Sequence, residues 1–149
     1  MTTQRLGHLL PASLSLLIAL CPGCSKPAAQ RDTEKLAQQV KDEAGCPDRL
    51  RQWYASVESM RHSGNSIFLS LPGSLTSAWW HGAKAYAVWG GDGTLQRISV
   101  TRDVYEPSII IGRATASPEA LGLKQQAGEP PAFYAQVTNG IYAISGMYK

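Results

Sequence analysis

The spacing of apolar residues changes near residue 66, and this change constrains the fold more than any other feature of the chain. Before it, apolar side chains recur every three or four residues, which is the period of a helix buried on one face. After it, short apolar runs alternate with Gly, Pro and Asn, which is typical of strands and turns. Helices followed by a series of short strands predict an α+β fold with a mostly antiparallel sheet.

Two helices are expected in the N-terminal part of the chain. The first would be capped by Asp32 and run to Glu43, where Gly45 and Pro47 end it. The second would use Asp48 as its N-cap. Its apolar residues then share one face: Leu50, Trp53, Tyr54, Val57 and Met60. Such a stripe needs a partner surface, and we expect the sheet to supply it.

The rest of the chain predicts about five or six strands. We expect strands at 67–71, 78–80, 84–89, 94–101 and 108–112, with a turn at 90–93 and a helical turn at 117–121. A C-terminal β-hairpin would pair 133–138 with 141–147, because Asn139-Gly140 is the residue pair of a type I′ turn.

The hairpin register follows from placing Asn139 and Gly140 at the turn. Thr138 then pairs with Ile141, Val137 with Tyr142 and Ala135 with Ile144. This register predicts one apolar face, made of Phe133, Ala135, Val137, Tyr142 and Ile144.

The length and charge of the chain limit the number of domains and the kinds of partner that we expect. The 149 residues, 44% of them hydrophobic, are enough for one domain, which we place at 32–149. The net charge is only +3, and the basic residues are interspersed with acids. A nucleic-acid partner is therefore not expected, because no basic stripe could follow a phosphate backbone.

Residues 1–23 have the parts of a signal peptide. Arg5 precedes an apolar stretch at 14–20, and the small residues Pro22-Gly23 follow it. The stretch is shorter than the roughly 18 to 20 apolar residues that span a bilayer. We therefore expect it to be removed after export.

The sequence Gly23-Cys24-Ser25 resembles the processing site of a bacterial lipoprotein, in which a small residue precedes a Cys that receives lipid. Cys21 replaces the Leu that this family usually has three residues before the lipidated Cys. The resemblance implies acylation of Cys24 with palmitate-type chains, followed by a tether at 24–31. Ser25 implies sorting to the outer membrane, facing the periplasm, so that the membrane is a partner through the lipid anchor.

Two other interpretations of the same residues remain open. Cleavage before Cys24 without acylation would give a secreted or periplasmic protein. In that case a disulfide between Cys24 and Cys46 is conceivable. Cys21-Pro22-Gly23-Cys24 also has the spacing of a C-x-x-C redox pair, although an apolar signal-like stretch precedes it.

The sequence contains no familiar catalytic motif. The catalytic hypothesis that remains is a small periplasmic hydrolase using His81 or His62 with Asp92 or Cys46. Nothing in their spacing favours this hypothesis. We expect neither a cofactor nor a metal site.

Three tryptophans within eleven positions suggest a binding surface instead. In a strand, Trp79 and Trp80 would point to opposite faces, so one of them would be exposed unless the helices or the Pro130-Pro131 loop cover it. With Trp89 they would form a docking surface for a protein or a glycan. The sequence therefore favours a non-enzymatic binding or support domain of the bacterial cell envelope.

Overall fold

The computed structural model describes residues 25–60, 62, 66–123 and 132–146. Helix α1 spans Ala28–Asp42 and helix α2 spans Cys46–Glu58. Six strands follow and form one antiparallel sheet that ends in a hairpin. The predicted α+β class is thus confirmed.

Both helices begin earlier than predicted. Helix α1 starts directly after Pro27, four residues before Asp32, so the expected capping role of Asp32 is wrong. Helix α2 starts after Gly45, whose φ of 67° reverses the chain, and Pro47 lies in its first turn. A proline fits there because the first helical N–H groups have no partner within the helix. Asp48 is therefore inside the first turn of α2 rather than its cap.

The apolar face of α2 is largely as predicted. Leu50, Tyr54 and Val57 are buried, and Trp53 is half-buried against the same core. Met60 is 55% exposed, so its predicted burial is wrong. The helix ends at Glu58, and the stripe therefore ends one turn earlier than its spacing implied.

The sheet has the order β1-β2-β3-β4-β6-β5, which places β1 and β5 at its edges. The strands are β1 Ile67–Leu69, β2 Lys84–Trp89, β3 Leu95–Thr101, β4 Ser108–Ile111, β5 Tyr134–Thr138 and β6 Ile141–Ile144. The predicted bounds of β2 are matched, whereas β1 is shorter than expected. Segment 117–121 is a turn closed by a bond from the Leu121 N–H to the Ser117 carbonyl.

The two faces of the sheet differ in what covers them. The helices pack on one face, where Ala87, Ile98, Ile111 and Ile141 are fully buried. On the other face, Ile110 and Tyr142 are covered by Leu121 and Leu123. This second cluster does not extend over β1 and β2, so that part of the face is open. The surface around Phe68, described below, lies there.

The C-terminal hairpin has the predicted turn but a different register. Thr138 pairs with Ile141 across Asn139-Gly140, as expected, and Gly140 has a φ of 76°. A bulge at Val137 then shifts the pairing, so that Gln136 lies opposite Tyr142. Val137 belongs to the helix-side core and Tyr142 to the other cluster. The predicted single apolar face is therefore wrong. Met147, the expected end of the second arm, lies outside the described residues.

Candidate functional site

The Trp79-Trp80 segment is a short 3-10 helix, Ala78–Trp80, so the predicted strand is wrong. Neighbouring residues of such a helix are about 120° apart rather than 180°, and both can face the core. Trp79 is 9% exposed and Trp80 is 4% exposed. Their rings meet edge to face, with centroids 4.7 Å apart. Of the two alternatives that the sequence left open, an exposed ring and a covered ring, the structure has the covered one.

Trp80 has a specific partner at the end of α1. Its indole Nε1 donates a hydrogen bond to Glu43 Oε2 at 2.8 Å, while the Thr76 N–H lies 3.3 Å from Oε1. Burial raises the pKa of Glu43, but hydrogen bonds from Trp80, Ser77 and Thr76 outweigh it, and the net shift lowers the pKa. A carboxylate held ionised by several donors stabilises the local structure. Trp80 therefore has a structural role here.

Trp89 is also buried, being 6% exposed. The His62 ring lies beside it, with centroids 6.0 Å apart and planes 30° from parallel. Thus none of the three tryptophans predicted as binding residues presents an open ring face.

Of the residues in the hydrolase hypothesis, His62 lies beside the 90–93 turn that holds Asp92, since its carbonyl is 3.4 Å from where a Cβ on Gly93 would lie. Asp92 Oδ1 accepts bonds from the Thr94 hydroxyl at 2.6 Å and the Thr94 N–H at 3.0 Å, and these bonds lower its pKa. His62 and His81 are exposed. Among the described residues, no hydrogen bond or ion pair joins either histidine to Asp92 or Cys46.

Cys46 is fully buried at the start of α2. Burial and the nearby Glu43 carboxylate raise the pKa of its thiol to about 12. The thiolate is the nucleophilic form of cysteine, so Cys46 is unreactive at neutral pH. Within the described ranges, no three His, Cys, Asp or Glu side chains are grouped to hold a metal ion.

Trp79 lines a groove between α1 and the loop that joins β3 to β4. The groove has a volume of about 270 Å³. Its walls combine Leu36 and Trp79 with charged and polar side chains of α1 and with loop residues: Asp32, Lys35, Gln39, Tyr105, Glu106 and Pro107. This groove places the β3–β4 loop beside the middle of α1, from Asp32 to Gln39.

Among the large hydrophobic residues that the structure describes, the one with the highest exposed fraction lies on the open side of the sheet. Phe68 in β1 is 83% exposed, and Tyr86 in β2 is its cross-strand partner. They border a hollow of about 330 Å³, which Ser66, Ile67, Lys84 and Thr101 complete. The sequence analysis did not identify this surface. The available signal was the alternation in β1, where Ile67 and Leu69 pack on the core and leave Phe68 on the other face.

The chain at the start of the described residues is held against α1. The Lys26 ammonium lies 2.8 and 2.9 Å from the two carboxylate oxygens of Glu34. Arg31 donates to the Lys26 carbonyl at 2.7 Å. Residues 28–31, expected as part of a tether, are helical. Cys24 and residues 1–23 lie outside the described residues.

No protein-family model, curated protein or solved structure matches this sequence. In the part of the chain that the structure describes, none of the helices is long and apolar enough to span a bilayer.

Proposed function

We propose that this protein is an exported, lipid-anchored domain of the bacterial cell envelope that acts by binding a partner. The domain would be anchored at Cys24 in the outer membrane and would face the periplasm. The observation that carries the proposal is the shortness of the link to the fold. Only Ser25, Lys26 and Pro27 separate Cys24 from α1, and Lys26 is bonded to Glu34. Acyl chains on Cys24 would hold the domain directly at the bilayer.

The described core is compatible with removal of the signal segment. Among the described residues, the buried side chains run from Thr33 to Ala143. Cleavage before Cys24 would leave every one of these side chains in place. The folded domain is therefore compatible with the mature chain that the lipoprotein-like processing site implies.

The arrangement of reactive groups supports binding over catalysis. The thiol of Cys46 is buried and protonated, and the carboxylate of Asp92 is bonded to Thr94. A hydrolase needs its nucleophile and base within hydrogen-bond reach of each other. The hydrolase hypothesis thus has less support than a binding domain.

The open face around Phe68 and Tyr86 is the binding surface that we favour. It is adjacent to β1, an edge strand that pairs only with β2 among the described strands. An edge strand offers free backbone groups to an extended segment of another protein, and neighbouring aromatic rings can contact its side chains. We therefore favour a protein partner over a glycan.

Replacement of the anchor residue tests the envelope proposal. The full chain with Cys24→Ala, expressed in its native bacterium, should leave the membrane fraction, whereas wild type should stay there. Cys46→Ala is the matched control and should remain with the membrane. Retention of the Cys24→Ala protein would contradict lipid anchoring, and a wild-type protein found only in the soluble periplasm would support plain secretion instead.

Site-specific photocrosslinking in cells tests the binding surface. A photoreactive amino acid in place of Phe68 should give a discrete crosslinked protein. The same amino acid in place of Gln52, which is exposed on α2, should not give that product. Identical products from both positions, or none from either, would contradict the assignment of this face.

A further inference from the structure

The loop that joins β3 to β4 carries two large apolar side chains on its surface. Val104 is 57% exposed and Tyr105 is 53% exposed. We propose that this loop, residues 102–107, contacts the interfacial region of the bilayer beside the lipid anchor. The inference rests on the proposed acylation of Cys24. It concerns how the anchored domain is oriented.

The groove lined by Trp79 fixes the position of the loop. Tyr105 and Glu106 form one wall of the groove, and Asp32 and Lys35 of α1 form part of the other. Leu36 and Gln39 also line the groove, so the loop lies beside the middle turns of the helix that follows the anchor residue.

The length of chain before α1 brings the loop near the membrane. From Cys24 to Ala28 there are four residue steps, which span at most about 14 Å when extended. The near end of the groove, Asp32, lies four residues further along α1, which adds about 6 Å, and its far end, Gln39, lies eleven residues further, which adds about 17 Å. The bonds of Lys26 to Glu34 and of Arg31 to the Lys26 carbonyl hold this link on the helix. The groove is thus confined to the vicinity of the acylated end.

The chemistry of the loop tip matches the boundary between lipid chains and water. Tyrosine combines an apolar ring with a polar hydroxyl and is enriched at this depth in membrane proteins. Val104 adds an aliphatic side chain next to it. Two such side chains are too few to recruit a protein from solution, but they are enough to orient a domain that acyl chains already hold.

The charged side chains near the loop give this contact no preference for anionic lipids. The segments 25–36 and 102–107 carry four basic and four acidic side chains: Lys26, Arg31, Lys35 and Arg102 against Asp32, Glu34, Asp103 and Glu106. A surface without net charge has no general attraction to anionic lipids. The loop should therefore contact zwitterionic and anionic bilayers alike.

Two variants, each with one introduced cysteine in the acylated mature protein, test this orientation. Val104→Cys places an environment-sensitive fluorophore on the loop. Gly91→Cys places it in the β2–β3 turn, at the far end of the seven-residue strand β3, about 20 Å away. Buried Cys46 does not compete for the label. The proteins are purified from membranes, acylation is verified by mass spectrometry, and both are reconstituted in phosphatidylcholine vesicles with and without phosphatidylglycerol.

The expected result is a several-fold weaker quenching by iodide at position 104 than at position 91, together with quenching of the 104 probe by nitroxide-labelled lipid. Equal iodide quenching of both probes in an acylated protein would overturn the inference and leave the lipid anchor intact. If the probe at position 104 were protected from iodide only in vesicles that contain phosphatidylglycerol, the proposal of an apolar contact would be overturned. A chain without acyl groups that stays off the vesicles would overturn the anchor and the inference together.

Discussion

The indole N–H of Trp80 and the carboxylate of Glu43 are joined by a hydrogen bond of 2.8 Å that links the Ala78–Trp80 turn to the end of α1. The Glu43 side chain is only 12% exposed, and Arg49 lies 3.4 Å from it. This bond explains why an aromatic-rich segment lies in the interior of the domain. Because Trp80 is buried, we place the proposed binding surface at Phe68 and Tyr86 instead.

Glu43→Gln should weaken the fold at neutral pH. The substitution removes the charge from an acceptor that serves Trp80 and the Thr76 N–H, and hydrogen bonds to charged groups contribute about 1.5 to 3 kcal/mol each. We expect a loss of about 1 to 3 kcal/mol in the free energy of unfolding, measured by urea denaturation at pH 7.

The same carboxylate should make stability depend on acid pH. The pKa of Glu43 is lower in the folded protein than its ordinary value of 4.5. Its contribution is therefore present above pH 4.5 and is lost as the pH falls through the folded pKa. Glu43→Gln should flatten the part of the unfolding profile that lies below pH 4.5. Asp42→Asn, on the exposed side of the same helix, is the control, and an equal flattening there would contradict the assignment.

The Cys46 thiol should be chemically silent in the folded protein. It is fully buried, and its pKa of about 12 keeps it protonated at neutral pH. In the mature chain acylated at Cys24, a thiol reagent at pH 7 should react only after denaturant is added. Rapid reaction under native conditions would show that the start of α2 is accessible.

Gly140→Val should disrupt the C-terminal hairpin. Gly140 has a φ of 76°, and a side chain there would collide with the Arg113 carbonyl. A positive φ alone costs a non-glycine residue about 1 to 3 kcal/mol. We expect a larger total loss of stability in thermal or chemical unfolding. Gly73→Ala is the control, because open space surrounds it, and its effect should stay within about 1 kcal/mol.

Leu50→Ala and Met60→Ala should differ strongly. Leu50 is fully buried, and truncation of such a side chain costs about 2 to 5 kcal/mol. Met60 is beyond the end of α2 and is more than half exposed, so its truncation should change stability by about 0.5 kcal/mol or less. Comparable losses in the two variants would contradict the end of α2 at Glu58.

Local signals in the sequence predicted much of the architecture. The Asn139-Gly140 pair identified the hairpin turn because few residues tolerate its backbone angles. The bulge at Val137 was missed, since alternation within a strand carries no sign of an inserted residue. The bulge put Val137 and Tyr142, which were predicted to share a face, on opposite faces of the sheet.

The proposed binding surface was harder to predict than the fold. The short apolar run 78–80, in a region of short runs with a period of two, predicted a strand, but the burial of Trp79 and Trp80 depends on tertiary partners such as Glu43. Phe68 was not singled out, because the exposure of a strand residue depends on which sheet face other elements cover. Leu121 and Leu123 cover that face elsewhere and leave Phe68 open.

Mass spectrometry of the protein purified from the membranes of its native cells tests the central proposal most directly. The proposal predicts a chain that begins at Cys24 and carries covalently attached acyl chains. An intact chain that begins at Met1, with no acyl group on Cys24, would contradict it.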